Sequence, residues 1–179
     1  SFSLDDEGVL YIYGLGLGYI YDCTEDYLAE KKSRYLVFLE SDLEVFLAFL
    51  KSPYAKKILS HKQVFLHYVD CADRSLEGLE ELIWNFVGLS SYFQVLPFYL
   101  EHKREDTFIL REKINLTSAV NATISLELES FGEVYFKNYV RNIQKISSSF
   151  LLNDFFGSCK GLPVVIVGAG PSLKKQLPL

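Results

Sequence analysis

Methionine is absent from the 179 residues, tryptophan occurs once and cysteine three times. With no methionine the chain offers no natural start, so it reads as a piece of a longer protein. Cys23, Cys71 and Cys159 are odd in number and far apart, and no Cys-x-x-Cys occurs. That spacing excludes a disulfide framework and a cysteine-based zinc site, and no other metal ligand set stands out. Reduced thiols suit the cytosol, and a cytoplasmic location is expected. In such a setting the sequons at Asn115 and Asn121 carry no weight. Glycine (11) and proline (5) are scarce, which excludes a disordered or linker-like chain. No apolar run is long enough to span a bilayer, so no membrane span is expected. Cationic stripes are missing too: Lys56-Lys57 and Lys174-Lys175 are isolated pairs in a chain of net charge −5. A general nucleic-acid binder is thereby excluded.

What is present is core-forming sequence, 49% hydrophobic and 15% aromatic. Val9–Tyr13 is a β-rich run that ends in Gly14-Leu-Gly16-Leu-Gly18, after which Ile20, Thr24, Tyr27 and Leu28 recur at helical spacing. Tyr35–Leu39 is a second apolar run, ending at Glu40, and Val64–Val69 a third, ending at Asp70. Continuous runs of this kind predict a parallel sheet covered on both faces. Ser41 and Glu44 fit a capping box for a helix whose buried stripe is Leu43, Phe46, Leu47 and Leu50. Pro53 is expected at the first position of a further short helix. Leu79, Leu82, Ile83, Phe86 and Val87 mark another helix, and Tyr92–Leu96 a fourth strand. The order β-α-β-α-β-α-β predicts an α/β, Rossmann-like three-layer sandwich with a mostly parallel sheet. After Pro97 the pattern turns helical to about Phe156, read as two or three helices punctuated at Phe131-Gly132. Gly157–Gly161 then precedes the apolar run Val164–Val167. The expected organisation is a Rossmann-like domain over 1–100, a helical connector over 101–160 and, over 161–179, the first strand and loop of a further α/β domain.

Two glycine loops are candidate sites. In the first, Gly14, Gly16 and Gly18 follow a strand and open a helix, a place where the backbone approaches an anion closely. Glu40 is placed to accept hydrogen bonds from a ribose diol, and Asp70 lies where an adenine contact is expected. The Gly-x-Gly-x-Gly spacing is similar to the first motif of class I S-adenosylmethionine methyltransferases, although Ile12 stands where those enzymes carry an acid. A plain β-α turn is the alternative. In the second loop, Gly168-Ala-Gly170-Pro171-Ser172, Pro171 fixes φ for a helix start and the Ser172 hydroxyl can donate to a phosphate. Here too a simple turn is the alternative.

Gly161-Leu-Pro-Val-Val-Ile-Val-Gly-Ala-Gly-Pro-Ser-Leu173 resembles the start of the DUF115 domain, also called the 6-hydroxymethylpterin diphosphokinase MptE-like domain, the core of the motility accessory factor (Maf) flagellin glycosyltransferases. Phe131–Ile143 is similar to the Asn-rich helix that precedes that loop in the family. Gly14–Tyr19 and Glu40–Phe46 resemble its N-terminal domain. The resemblance implies a Rossmann-like, accessory N-terminal domain without catalytic residues. It also implies a following, sialyltransferase-like domain that binds a nucleotide or CMP-sugar, or a nucleotide diphosphate in the pterin kinase branch. Gly168, Gly170, Pro171 and Ser172 would then approach the phosphates. The implied partners are that C-terminal domain and a protein acceptor. Two alternatives to a transferase fragment stand beside it: a methyltransferase-like S-adenosylmethionine binder, and a non-enzymatic interaction module using the aromatic-rich helices.

Overall fold

The computed structural model describes residues 8–149, 152–163, 165–168 and 170. Its contacts group the chain into two units, residues 1–132 and 133–179. In the first unit the strands are β1 (Gly8–Tyr13), β2 (Tyr35–Glu40), β3 (Val64–Tyr68) and β4 (Ser90–Val95). They form one all-parallel sheet in the order β3-β2-β1-β4. The helices between them are α1 (Glu25–Glu30, preceded by a 3₁₀ turn over Tyr19–Thr24), α2 (Leu43–Leu50), α3 (Tyr54–Leu59) and α4 (Glu77–Trp84). After β4 come α5 (Pro97–His102) and the 43-residue α6 (Arg104–Ile146). A further 3₁₀ turn covers Leu152–Phe155 in the second unit.

The two central strands are apolar at successive positions because both faces of the sheet are covered. On one face Val9, Tyr11, Tyr13, Val37 and Leu39 pack with Leu79, Ile83 and Phe86 of α4, Tyr99 of α5, and Leu110 and Ile114 of α6. On the other, Leu10, Ile12, Leu36 and Phe38 pack with Tyr21, Tyr27, Leu28, Phe49 and Ile58. This is the three-layer, Rossmann-like α/β sandwich. Asn121 ties α6 to α4: it is buried, and its amide donates to the Ile83 carbonyl at 3.2 Å, a second bond on an oxygen that also accepts from the Phe86 amide at 3.0 Å.

Three local expectations change. Asp42, not Ser41, caps α2, its carboxylate accepting from the Glu44 and Val45 amides at 2.9 and 3.3 Å. The Ser41 hydroxyl is instead engaged by Tyr13 at 2.7 Å. The buried face of α2 is also rotated: Phe49 is its buried residue, whereas Leu43, Leu47 and Leu50 are exposed. Finally, α6 runs unbroken through Gly132. A glycine inside a helix costs about 1 kcal/mol against alanine, which weakens the helix without breaking it. Among the described residues no helix is long and apolar enough to cross a membrane.

Candidate functional site

The loop after β1 is where the sequence points first. Gly14 has φ +104 and donates its amide to the Leu39 carbonyl at 2.9 Å. A Cβ there would lie 2.7 Å from the Tyr99 ring. Gly18 has φ +89, and a Cβ would meet Tyr54, Ile58 and Phe49 at 3.0–3.1 Å. Only Gly16, at φ +53, faces open space. Two of the three glycines are therefore dictated by packing between the sheet and α2, α3 and α5.

The anion that the loop holds is the chain's own Glu40 carboxylate. Leu15 donates its amide to Oε2 at 3.0 Å, and the Tyr99 hydroxyl donates to the same oxygen at 2.6 Å. The Ser41 and Asp42 amides both donate to Oε1 at 2.9 Å. Glu40 is 0% exposed. The expectation that it accepts from a ribose diol is thus corrected, because both oxygens are filled by protein donors and sealed from solvent. Burial, and then the adjoining Glu40 carboxylate, keep the Tyr99 phenol protonated well above the usual tyrosine range. Ile12, where a methyltransferase-like loop would carry an acid, is a buried core residue.

Strand order explains why Tyr99 matters. β1 leads to β2 on one side and neighbours β4 on the other, so the switch point of the sheet lies at the carboxyl ends of β1 and β4. Open α/β sheets bind ligands in that crevice. Here α5 starts at Pro97, directly after β4, and turns Tyr99 into it. The Tyr99 and Tyr13 rings meet edge-to-face at 4.7 Å between centroids. Pro97 at the start of a helix was the signal available in the sequence; that the third residue of the helix would plug the crevice was not.

Polar space remains beside it, at the ends of β2 and β3. An open cleft of about 420 Å³ is lined by Ser41, Asp70, Cys71, Lys103 and Asp106, among others. Asp70 accepts from the Ala72 amide at 3.0 Å and stays exposed, so of the residues foreseen in the first loop's site it is the one that lines this cleft. Tyr13 reaches the cleft from the core, bonding Ser41 Oγ at 2.7 Å and donating to Asp106 at 3.5 Å. Burial, with the Asp106 charge second, pushes the Cys71 thiol up to about 11. It is therefore protonated near neutral pH and is not an activated nucleophile. Arg74 bridges to Glu105 at 2.8 Å on the exposed rim. Among the described residues no group of three metal-ligating side chains gathers here or elsewhere. The cleft has charge of both signs and hydrogen-bonding groups, but no nucleophile paired with a base.

In the second loop, Gly168 and Gly170 have no regular structure, while Pro171 and Ser172 lie outside the described residues. The expected strand over Val164–Val167 is not formed in its described part. Val165 and Ile166 are 83% and 93% exposed, and β4 is the last strand among the described residues. A lone extended segment has no ladder to satisfy its amides and no facing layer to bury its side chains, so sequence propensity alone does not make it a strand.

Comparison of the chain with models of protein families, with curated proteins and with solved structures finds no match. The likeness to the DUF115/MptE-like family therefore rests on the residues of the chain alone.

Proposed function

We propose that this chain is the N-terminal part of a DUF115/Maf-like glycosyltransferase and that its Rossmann-like domain is accessory, with no nucleotide site of its own. The observation that carries the accessory reading is the four-donor capture of Glu40, in which the Leu15 amide of the glycine loop is turned to the chain's own carboxylate. Tyr99 occupies the switch-point crevice in the same manner. An S-adenosylmethionine site would need that crevice open and the Glu40 oxygens turned toward a ribose. In the family the chain resembles, a nucleotide or CMP-sugar belongs to the domain opened by the Gly168–Ser172 loop, and the chemistry to that domain as well. The polar cleft at Asp70 and Lys103 is then a surface for the rest of the protein or for its acceptor.

Isothermal calorimetry of the chain with S-adenosylmethionine, CMP and CTP tests this. The expected result is no saturable heat with any of the three at millimolar ligand, where a site worth about 4 kcal/mol is half filled. Saturable binding of S-adenosylmethionine that is abolished by Gly16→Asp contradicts the accessory reading. So does sugar transfer by this chain alone.

A further inference from the structure

On one side the sheet ends at β4, and that edge is open. The Leu96 amide donates to the Tyr13 carbonyl, so the even-numbered residues along β4 bond inward to β1. Ser91, Phe93 and Val95 therefore turn their amides and carbonyls outward. Among the described residues nothing bonds to those six backbone groups. The strand, Ser90-Ser-Tyr-Phe-Gln-Val95, carries no charge and no proline, the devices that keep an edge strand from pairing.

The flank beside this edge has a hollow and a knob. Next to the start of β4 is a cleft of about 640 Å³ walled by small side chains, among them Gly88, Ser90, Ser118, Ala122 and Ser125. Nearer the start of α6, Phe108 is 63% exposed. All of these residues belong to the first unit. Ser91 meets the Ser118 hydroxyl at 2.8 Å, and Arg111 lies over the Phe93 ring, so α6 runs antiparallel to β4. At about 3.3 Å per strand residue and about 1.5 Å per helix residue, Phe93 is level with roughly position 114 of α6. A two-fold axis at Phe93 then exchanges Phe108 with about position 120, between Ser118 and Ala122. The knob of each copy falls at the hollow of the other.

This self-complementarity selects the occupant. The outward residues are symmetric about Phe93: in an antiparallel pair Phe93 bonds Phe93 of the second copy and Ser91 bonds its Val95, which satisfies all six groups of each chain. No like charges oppose one another along the strands. The two Arg111 side chains, each over its own Phe93 ring, flank the axis, and their like charge keeps the pairing weak.

We propose that β4 pairs antiparallel with β4 of a second copy of this chain about a two-fold axis at Phe93, joining the two four-stranded sheets into one. The proposal is independent of the function argued above.

Sedimentation and hydrogen exchange of the whole chain test it. The chain is expected to dimerise reversibly by about 100 µM, as a weak isologous interface does. As the dimer forms, the Ser91, Phe93 and Val95 amides should gain protection, while those of Gln94 and Leu96, already bonded to β1, should not change. Ser91→Pro removes an amide that β1 does not use, a substitution an edge strand accepts, and should weaken the dimer by at least about 10-fold. Phe108→Ala, at an exposed position, should weaken it by about 5-fold. A chain that stays monomeric at that concentration overturns the proposal. So does a dimer that forms without protection of the Phe93 amide, a reading on the parent chain that stands whether or not the proline variant folds.

Discussion

Glu40→Ala destabilises the domain by about 3–5 kcal/mol, among the larger losses a single substitution produces. Alanine removes the acceptor for three backbone amides (Leu15, Ser41 and Asp42) and for the Tyr99 hydroxyl; the Leu15 and Tyr99 bonds are buried, and those of Ser41 and Asp42 partly so. Each buried donor left unpaired costs about 1–3 kcal/mol, and the four are not additive because the loop relaxes once released. The midpoint of thermal unfolding should fall by roughly 10 °C for a chain of this size. Glu40→Gln is the informative companion. Its one carbonyl can serve a single pair of donors, while its NH₂ is turned against the other pair; the Tyr99 hydroxyl can reverse to accept, but an amide cannot. A loss of about 1–3 kcal/mol is expected, between alanine and the parent. Asp42→Ala removes only the cap of α2 and should cost about 1 kcal/mol. Urea denaturation with an unchanged slope measures all three. A Glu40→Ala loss no larger than that of Asp42→Ala would show that the carboxylate is not the tie between loop and sheet.

The second large effect separates the glycines. Gly14→Ala forces a side chain into a left-handed backbone conformation at φ +104 and drives its Cβ to 2.7 Å from the buried Tyr99 ring. Strain and overpacking together amount to about 2–5 kcal/mol. Gly16→Ala, at φ +53 with open space around it, meets only the conformational cost of about 1 kcal/mol. The contrast matters because a loop built for a ligand would keep all three glycines for access. Here Gly14 and Gly18 are required by the aromatic and aliphatic side chains of α2, α3 and α5, and stability is the quantity that suffers. Chemical denaturation of the two variants side by side gives the answer. Equal losses would remove Tyr99 as the reason for Gly14.

The parallel sheet was legible because apolar runs such as Tyr35–Leu39 cannot alternate when both faces are buried. The end of each strand was legible for the same reason: Glu40 and Asp70 break their runs where the chain leaves the core. The fate of those two acids was not. Both stand at strand ends with the same apparent promise, yet Glu40 is enclosed by four donors and Asp70 remains at an open cleft. The difference depends on Tyr99, fifty-nine residues from Glu40, and no local pattern encodes that meeting. The face of α2 was misread for a related reason. Its apolar residues outnumber those the core needs, so Leu43, Leu47 and Leu50 looked as buried as Phe49 until the Asp42 cap set the rotation of the helix. The terminal run Val165–Val167 shows the limit of propensity, because a β-rich segment becomes a strand only beside another strand.

The central claim, that the glycine loop is closed by its own carboxylate and takes no nucleotide, is tested most directly at the amides that do the closing. In ¹⁵N–¹H spectra of the chain, the Leu15, Ser41 and Asp42 resonances should be protected from hydrogen exchange. They should also stay in place on addition of S-adenosylmethionine, CMP or CTP to about 5 mM, well into the range that detects millimolar sites. Saturable movement of Leu15 through Gly18, with loss of protection at Ser41 and Asp42 as Glu40 turns outward, would contradict it.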